Sequence, residues 1–215
     1  MNVFILKLIA LMSMIIDHYG AIFKSGVSLY RIIGRLAFPI YAFLLVEGYF
    51  HTKNVKKYGI RLIVFAFISE LPYDLAFRGR LEFMNQNIFF TLFIGLVTMY
   101  FIDQVAKENN QKLFFMLIGM FVALILSVDY SFIGIGYILF FYFTRSMEKN
   151  ERIFKMAAIM FLINLSLSFT QQYSIFALFL IYFYNEELGT KNKFVQILFY
   201  IIYPLHLLAF YLYNM

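Results

Sequence analysis

The sequence predicts an all-α fold: a polytopic bundle of about nine membrane helices (eight to ten), forming a single integral membrane domain over residues 1–215. Three observations predict it. Hydrophobic residues make up 63% of the chain and charged residues only 14%, where soluble domains average about 45–50% and about 25%. The apolar residues fall into runs near the length, roughly 20 residues, that a spanning helix needs. The basic residues gather in short clusters between those runs, and more of them on alternate connections. This composition excludes a soluble globular enzyme and a disordered chain. The absence of Cys excludes disulfides, thiolate nucleophiles and Cys-ligated metal centres. The net charge of +6 is a topology signal rather than a nucleic-acid footprint, because the basic residues flank membrane-length runs.

The first run, 3–23, is read as a membrane helix and not a signal peptide, since it holds Lys7 and no small-residue cleavage site follows it. It carries Asp17 and His18 in its second half. The second, 32–51, is preceded by Arg31, contains Arg35 near its start and ends with Glu47 and His51. The third, 58–77, holds Glu70 and Asp74 with Pro72 between them; Pro72 removes a backbone donor and predicts a kink. The fourth, 87–105, is entered through Asn85, Gln86 and Asn87. Three apolar runs follow at 112–128, 131–147 and 153–170. The eighth, 172–184, is short and is read either as re-entrant or as continuous with its neighbour. The ninth, 194–213, contains Tyr203-Pro204-Leu205-His206.

Loop alternation sets the orientation. Lys7, Lys53, Lys56, Lys57, Arg61, Lys107, Lys112, Arg145, Lys149, Arg152, Lys155, Lys191 and Lys193 share one side, which is most of the eighteen basic residues. Positive charge favours the cytoplasm, so the N-terminus is expected inside and the C-terminus outside, or inside if the eighth segment does not span. In this frame Asp17, His18, Arg31, Arg35, Glu70, Asp74, Asn87 and His206 converge on the outer half. Ionisable groups within a membrane are costly and are functional candidates by default.

Helical spacing places Arg31 and Arg35 on one face, and Glu70 and Asp74 on another. The two pairs are expected to form a four-charge network, which serves equally well as structural glue between helices. His18 is the candidate general base. Asp17, adjacent in sequence, points about 100° away on a helix, so a carboxylate partner for the imidazole could instead come from Glu70. His206 follows Pro204 by two residues, which is compatible with a kink or with chemistry. On the inner side, Glu47 and His51 are followed by Lys53, Lys56, Lys57 and Arg61. This is either positive-inside topology or a cradle for the phosphates of a cytosolic cofactor. No H-E-x-x-H, G-x-S-x-G, Walker A or G-x-G-x-x-G pattern is present, and no spacing argues for a metal.

Several of these segments resemble the TraX family. They are Lys7-Leu8-Ile9-Ala10 through Ile16-Asp17-His18-Tyr19-Gly20, and Gly34-Arg35-Leu36-Ala37-Phe38-Pro39 through Glu47-Gly48-Tyr49-Phe50-His51-Thr52. Lys57-Tyr58, Arg61-Leu62, Glu70-Leu71-Pro72-Tyr73, Asn87-Ile88-Phe89-Phe90-Thr91-Leu92 and Tyr203-Pro204-Leu205-His206-Leu207 continue the likeness. It is dense over residues 5–100 and thins to hydropathy until the last helix. The resemblance implies acetylation of a pilin N-terminus and similarity to membrane acyltransferases, which move an acyl group from cytosolic acetyl-CoA to an acceptor at the outer face. By that likeness His18 is the base; in the mechanism expected from the charge map, Asp17 or Glu70 orients or balances it, and Arg35 or Asn87 stabilises the developing oxyanion. Glu47, His51, Lys56, Lys57 and Arg61 bind the donor. Arg31, Asp74, Tyr203 and His206 bind an acceptor peptide, sugar or other small molecule. The expected setting is the bacterial cytoplasmic membrane. Expected partners are the lipid bilayer, acetyl-CoA and the acceptor, without nucleic acid; a homodimer is compatible with a bundle of this size. Two rivals come from other classes. One is a secondary transporter using the same charges. The other is a non-enzymatic assembly factor of a conjugation or secretion system.

Overall fold

Asn2 accepts a hydrogen bond from the backbone N–H of Ile5 (3.0 Å) and so starts the first helix. In the computed structural model, which describes residues 1–26, 28–190 and 192–215, this helix is α1 (Val3–Phe23). Lys191, counted above among the inner basic residues, lies outside the described residues, as does the side chain of Lys193. The helices that follow are α2 (Leu29–Gly34), α3 (Ala37–His51), α4 (Val55–Arg78), α5 (Ile88–Gln104), α6 (Asn109–Ile125), α7 (Ser131–Thr144) and α8 (Lys149–Asn164). A 3-10 helix, Phe169–Phe176, leads into α9 (Ala177–Tyr182), and α10 (Lys193–Asn214) closes the chain. The described residues form no strand; the pairing of Gln86 with Val128 is an isolated bridge.

The run expected at 32–51 is broken: α2 begins earlier, at Leu29, and a turn at Arg35–Leu36 separates it from α3. The backbone N–H of Arg35 bonds to both Arg31 and Ile32 carbonyls, and that of Leu36 to Ile33, the tighter closure that ends a helix. The short eighth run is also not a continuous α-helix, because its first part is the 3-10 segment. Pro72 and Pro204 both lie inside unbroken helices, α4 and α10. Gly79 ends α4 in the left-handed region (φ 69°), where glycine carries no steric penalty, and its N–H caps the Leu75 carbonyl.

Three stretches among the described residues are long and apolar enough to cross a membrane: Val3–Phe23, Leu29–His51 and Phe194–Asn214. The sequence reading counts nine. Helices α5, α6 and α7 are apolar but shorter, and α4 is long enough but carries charge at both ends.

The chain divides into two compact units. One comprises residues 1–44 and 144–215, the other residues 45–143. In the first, α2 and α10 pack on α1, the 3-10 helix packs on α2 and α8, and α9 packs on α8. The N-terminal ammonium donates to the Phe183 carbonyl, and Val3 N–H bonds to the Glu187 carbonyl (2.8 Å). Leu6, Ala10, Met156, Met160, Ala177, Ile181 and Leu207 are buried here. In the second unit α5 packs on α4 and α6, with Leu62, Ala66, Leu96, Met99, Ala123 and Ile138 buried. Outward faces are apolar in both units: Ile60, Val64, Phe67, Ile68 and Leu71 on α4, Leu113, Phe114, Leu117, Phe121 and Ile125 on α6, and Phe194, Leu205 and Leu212 on α10.

Candidate active site

The first unit brings together Asp17 and His18 from α1, Arg31 from α2, Arg35 from the turn after it, Gln171 from the 3-10 helix, and Tyr203 and His206 from α10. Close approach of α2 to α1 is set by Gly34, against which the Asp17 side chain lies; a β-carbon at Gly34 would collide with it. Asp17 Oδ2 accepts from Arg31 Nη1 and Oδ1 from Arg35 Nη2, each at 2.6 Å. Arg35 Nε donates to the Arg31 carbonyl (3.2 Å), and Nη1 to Gln171 Oε1 (3.1 Å). The Asp17 side chain is 12% exposed, Arg35 14% and Arg31 30%. Two guanidinium groups thus share one carboxylate, and their mutual repulsion is offset by the charge between them.

Asp17 is thus the carboxylate that both arginines bind within the first unit. Asp74, in the second unit, binds Arg78 one helical turn on (2.9 Å) and accepts from the Glu82 N–H (2.9 Å), while Arg78 also reaches Glu82 (2.8 Å). The reason is local: an i, i+4 partner on the same helix costs little ordering entropy.

His18 and His206 meet directly. His18 Nδ1 lies 2.7 Å from His206 Nε2. The ring centroids are 5.0 Å apart and the planes 17° from parallel. That is the geometry of two imidazoles meeting edge to edge through an N–H···N bond. His206 Nδ1 lies 2.9 Å from the Ile202 carbonyl, which can only accept, so this nitrogen carries a hydrogen. With both rings neutral, His206 Nε2 is therefore the bare nitrogen and accepts from His18 Nδ1–H. His18 Nε2 is then the basic nitrogen. Tyr203 meets both rings edge-on at 5.9 and 5.7 Å, and Phe210 meets His206 at 5.6 Å. Within the first unit, the His18 ring thus meets a second imidazole, a partner that the sequence reading did not consider.

The other candidates lie in the second unit. Asn87 caps α5 by accepting from the Phe89 N–H (3.0 Å), and its amide donates to the Ala66 carbonyl (2.8 Å) and Glu70 Oε2 (2.5 Å). Its N–H groups hold α5 to α4. Glu47 is buried, and His51 Nδ1 donates to its carbonyl (2.8 Å), with the carboxylate at 3.8 Å. Lys56, Lys57 and Arg61 are exposed on the first two turns of α4, where Asn54 caps the Lys57 N–H (2.8 Å).

A model of the family described as TraX protein matches residues 3–214. The chain belongs to the TraX family. Two curated relatives are similar over shorter stretches of this TraX-family chain. One, named as a probable fimbrial assembly protein FimC, serogroup H1, of Dichelobacter nodosus, is 36% identical over 110 residues, 46% of this chain and 45% of the relative. An uncharacterised protein of Rickettsia prowazekii (strain Madrid E) is 27% identical over 97 residues, covering 45% and 36%. The match thus spans less than half the length of either relative. No solved structure matches the chain.

Sequence reasoning did not single out Gln171, Asn164 or Ser174. Asn164 Nδ2 donates to the Gln171 carbonyl and to Ser174 Oγ, each at 3.0 Å, and all three are buried. Nor did it find Asp103, which accepts from Tyr49 (2.7 Å) and Tyr142 (3.4 Å). The available signal was an amide or a carboxylate inside an otherwise apolar run. Among the described residues no group of three His, Asp or Glu side chains is arranged to hold a metal.

Proposed function

We propose that this TraX-family chain is an integral membrane acetyltransferase. It moves an acetyl group from cytosolic acetyl-CoA to an amine or hydroxyl at the outer face, with His18 as the general base. The observation that carries the reading is the bond chain from the Ile202 carbonyl through His206 to His18 Nδ1. It leaves Nε2 of His18 as the lone-pair nitrogen and holds the ring in one orientation, as an orienting partner does for a catalytic imidazole. The outward apolar faces of both units and the three span-length stretches support the bilayer setting. Positive-inside bias supports a cytoplasmic N-terminus in the bacterial inner membrane.

Acetyl-CoA is a substrate here, and it supplies an activated carbonyl. Lys56, Lys57 and Arg61 fit its phosphates, being exposed cations on the first turns of a helix. In the reaction, the acceptor's nitrogen or oxygen attacks the carbonyl carbon and its proton passes to His18 Nε2. The carbon–sulfur bond then breaks, and the thiolate leaves and takes up that proton. Arg31 and Arg35 place two positive charges against one carboxylate, which favours negative charge developing on the carbonyl oxygen. A pilin-type N-terminal amine is the favoured acceptor, in keeping with the pilin acetylation associated with the family and with the fimbrial assembly named for one relative. That name also favours a second reading, an assembly factor without catalysis.

The test is binding of acetyl-CoA and CoA to purified protein, followed by acetyl transfer to a pilin-derived peptide. Micromolar binding that is lost when Lys56, Lys57 and Arg61 are neutralised, with transfer abolished by His18→Ala in folded protein, is the expected outcome. Near-normal transfer by His18→Ala overturns the assignment of the base, and absence of binding overturns the acyl donor.

A further inference from the structure

Gln171 is 3% exposed, and its amide nitrogen has no hydrogen-bond partner among the described residues. Its amide cannot simply be turned over. Arg35 Nη1 is a donor, so the atom facing it at 3.1 Å must be the oxygen. The NH2 group therefore points elsewhere, with both hydrogens buried and unanswered. Leaving such donors unmade costs about 1–3 kcal/mol, and each such group in a folded protein calls for an explanation.

The backbone under Gln171 is equally unusual. Eight residues, Phe169–Phe176, run as a 3-10 helix, where runs beyond three or four are uncommon. It is held deliberately: Ser168 caps the Gln171 N–H, and Asn164 binds the Gln171 carbonyl and Ser174. At membrane depth, backbone of this kind persists only where it is buried in protein or lines a cavity.

We infer that Gln171 is the donor that receives the acyl carbonyl oxygen: its amide N–H groups bind the oxygen of the group being transferred. The inference rests on the acetyltransferase reading and adds a substrate-binding residue to it. Arg35 connects the two parts of the site, holding the Gln171 oxygen with one nitrogen and Asp17, the residue before His18, with another. An amide so fixed is oriented before substrate arrives, which is what stabilisation of charge on a carbonyl oxygen requires.

Gln171→Glu tests this, because the carboxylate keeps an acceptor oxygen for Arg35 and removes both N–H donors. The probes are the non-transferable ketone isostere of acetyl-CoA, which retains the carbonyl, and S-ethyl-CoA, which lacks it. Wild-type full-length protein is expected to prefer the ketone by about tenfold, the worth of one hydrogen bond to a buried donor. Gln171→Glu is expected to bind both equally, with S-ethyl-CoA affinity unchanged, and to lose about 100- to 1,000-fold in turnover at constant donor KM. If the carboxylate prevents folding, Gln171→Met, similar in length and without donors, is read in the same way. Retention of the ketone preference by a folded variant overturns the role of Gln171 and leaves the acetyltransferase reading standing. Failure of wild-type protein to bind either probe overturns both.

Discussion

His206 illustrates how one hydrogen bond sets the chemistry of another residue. The Ile202 carbonyl fixes the protonated nitrogen of His206, and His206 in turn fixes that of His18. Replacing His206 by Phe keeps a flat ring beside Tyr203 and Phe210 but removes the acceptor. The expected result is a fall in kcat of about tenfold to a hundredfold, the usual cost of losing an orienting partner. Donor binding should stay within twofold. Steady-state kinetics on the purified variant checks this, and an unchanged kcat would assign His206 to packing alone. The residue types were legible in the sequence, since His18, Asp17, Arg31, Arg35 and His206 are ionisable groups in apolar runs. Their pairing was not. Helical periodicity says that Asp17 and His18 point apart, but not which neighbour each one meets.

At the scale of elements, the approach of α2 to α1 depends on Gly34. Gly34→Ala places a methyl group where the Asp17 carboxylate lies. Overpacking of this kind costs about 1–3 kcal/mol, and it would push Asp17 off both arginines. A lowered thermal midpoint in detergent together with reduced transfer is expected. Gly136→Ala is the control: its β-carbon would meet Met120 at 3.4 Å, an ordinary contact, and replacing a mid-helix glycine stabilises by up to about 1 kcal/mol. Equal melting shifts in the two variants would contradict the close-packing account. The break between α2 and α3 and the 3-10 segment escaped the sequence reading for one reason. Hydropathy measures how apolar a run is, and both stretches are apolar; only hydrogen-bond register distinguishes one helix from two.

At the scale of the whole molecule, the bilayer reading predicts which loops face which compartment. The chain has no cysteine, so single cysteines can be introduced without engineering the background. Cysteine at Arg80 is expected to react with a membrane-impermeant maleimide in intact cells, and cysteine at Lys56 only after permeabilisation. The reverse pattern would invert the proposed topology, and equal labelling of both would contradict a spanning bundle.

Apolar composition, helical run length and the placement of charges by themselves determined the all-helical class, the positions of most helices and the set of polar residues worth testing. These follow from local physics: burial preference, backbone hydrogen bonding and the cost of charge in an apolar medium. Tertiary structure alone decided that Arg31 and Arg35 share Asp17, that His18 pairs with His206 across 188 positions of chain, and that Gln171 joins them from a segment with no charge to draw notice. Those contacts depend on how helices pack, and packing is set by the shapes of side chains from distant parts of the sequence, which no local pattern records.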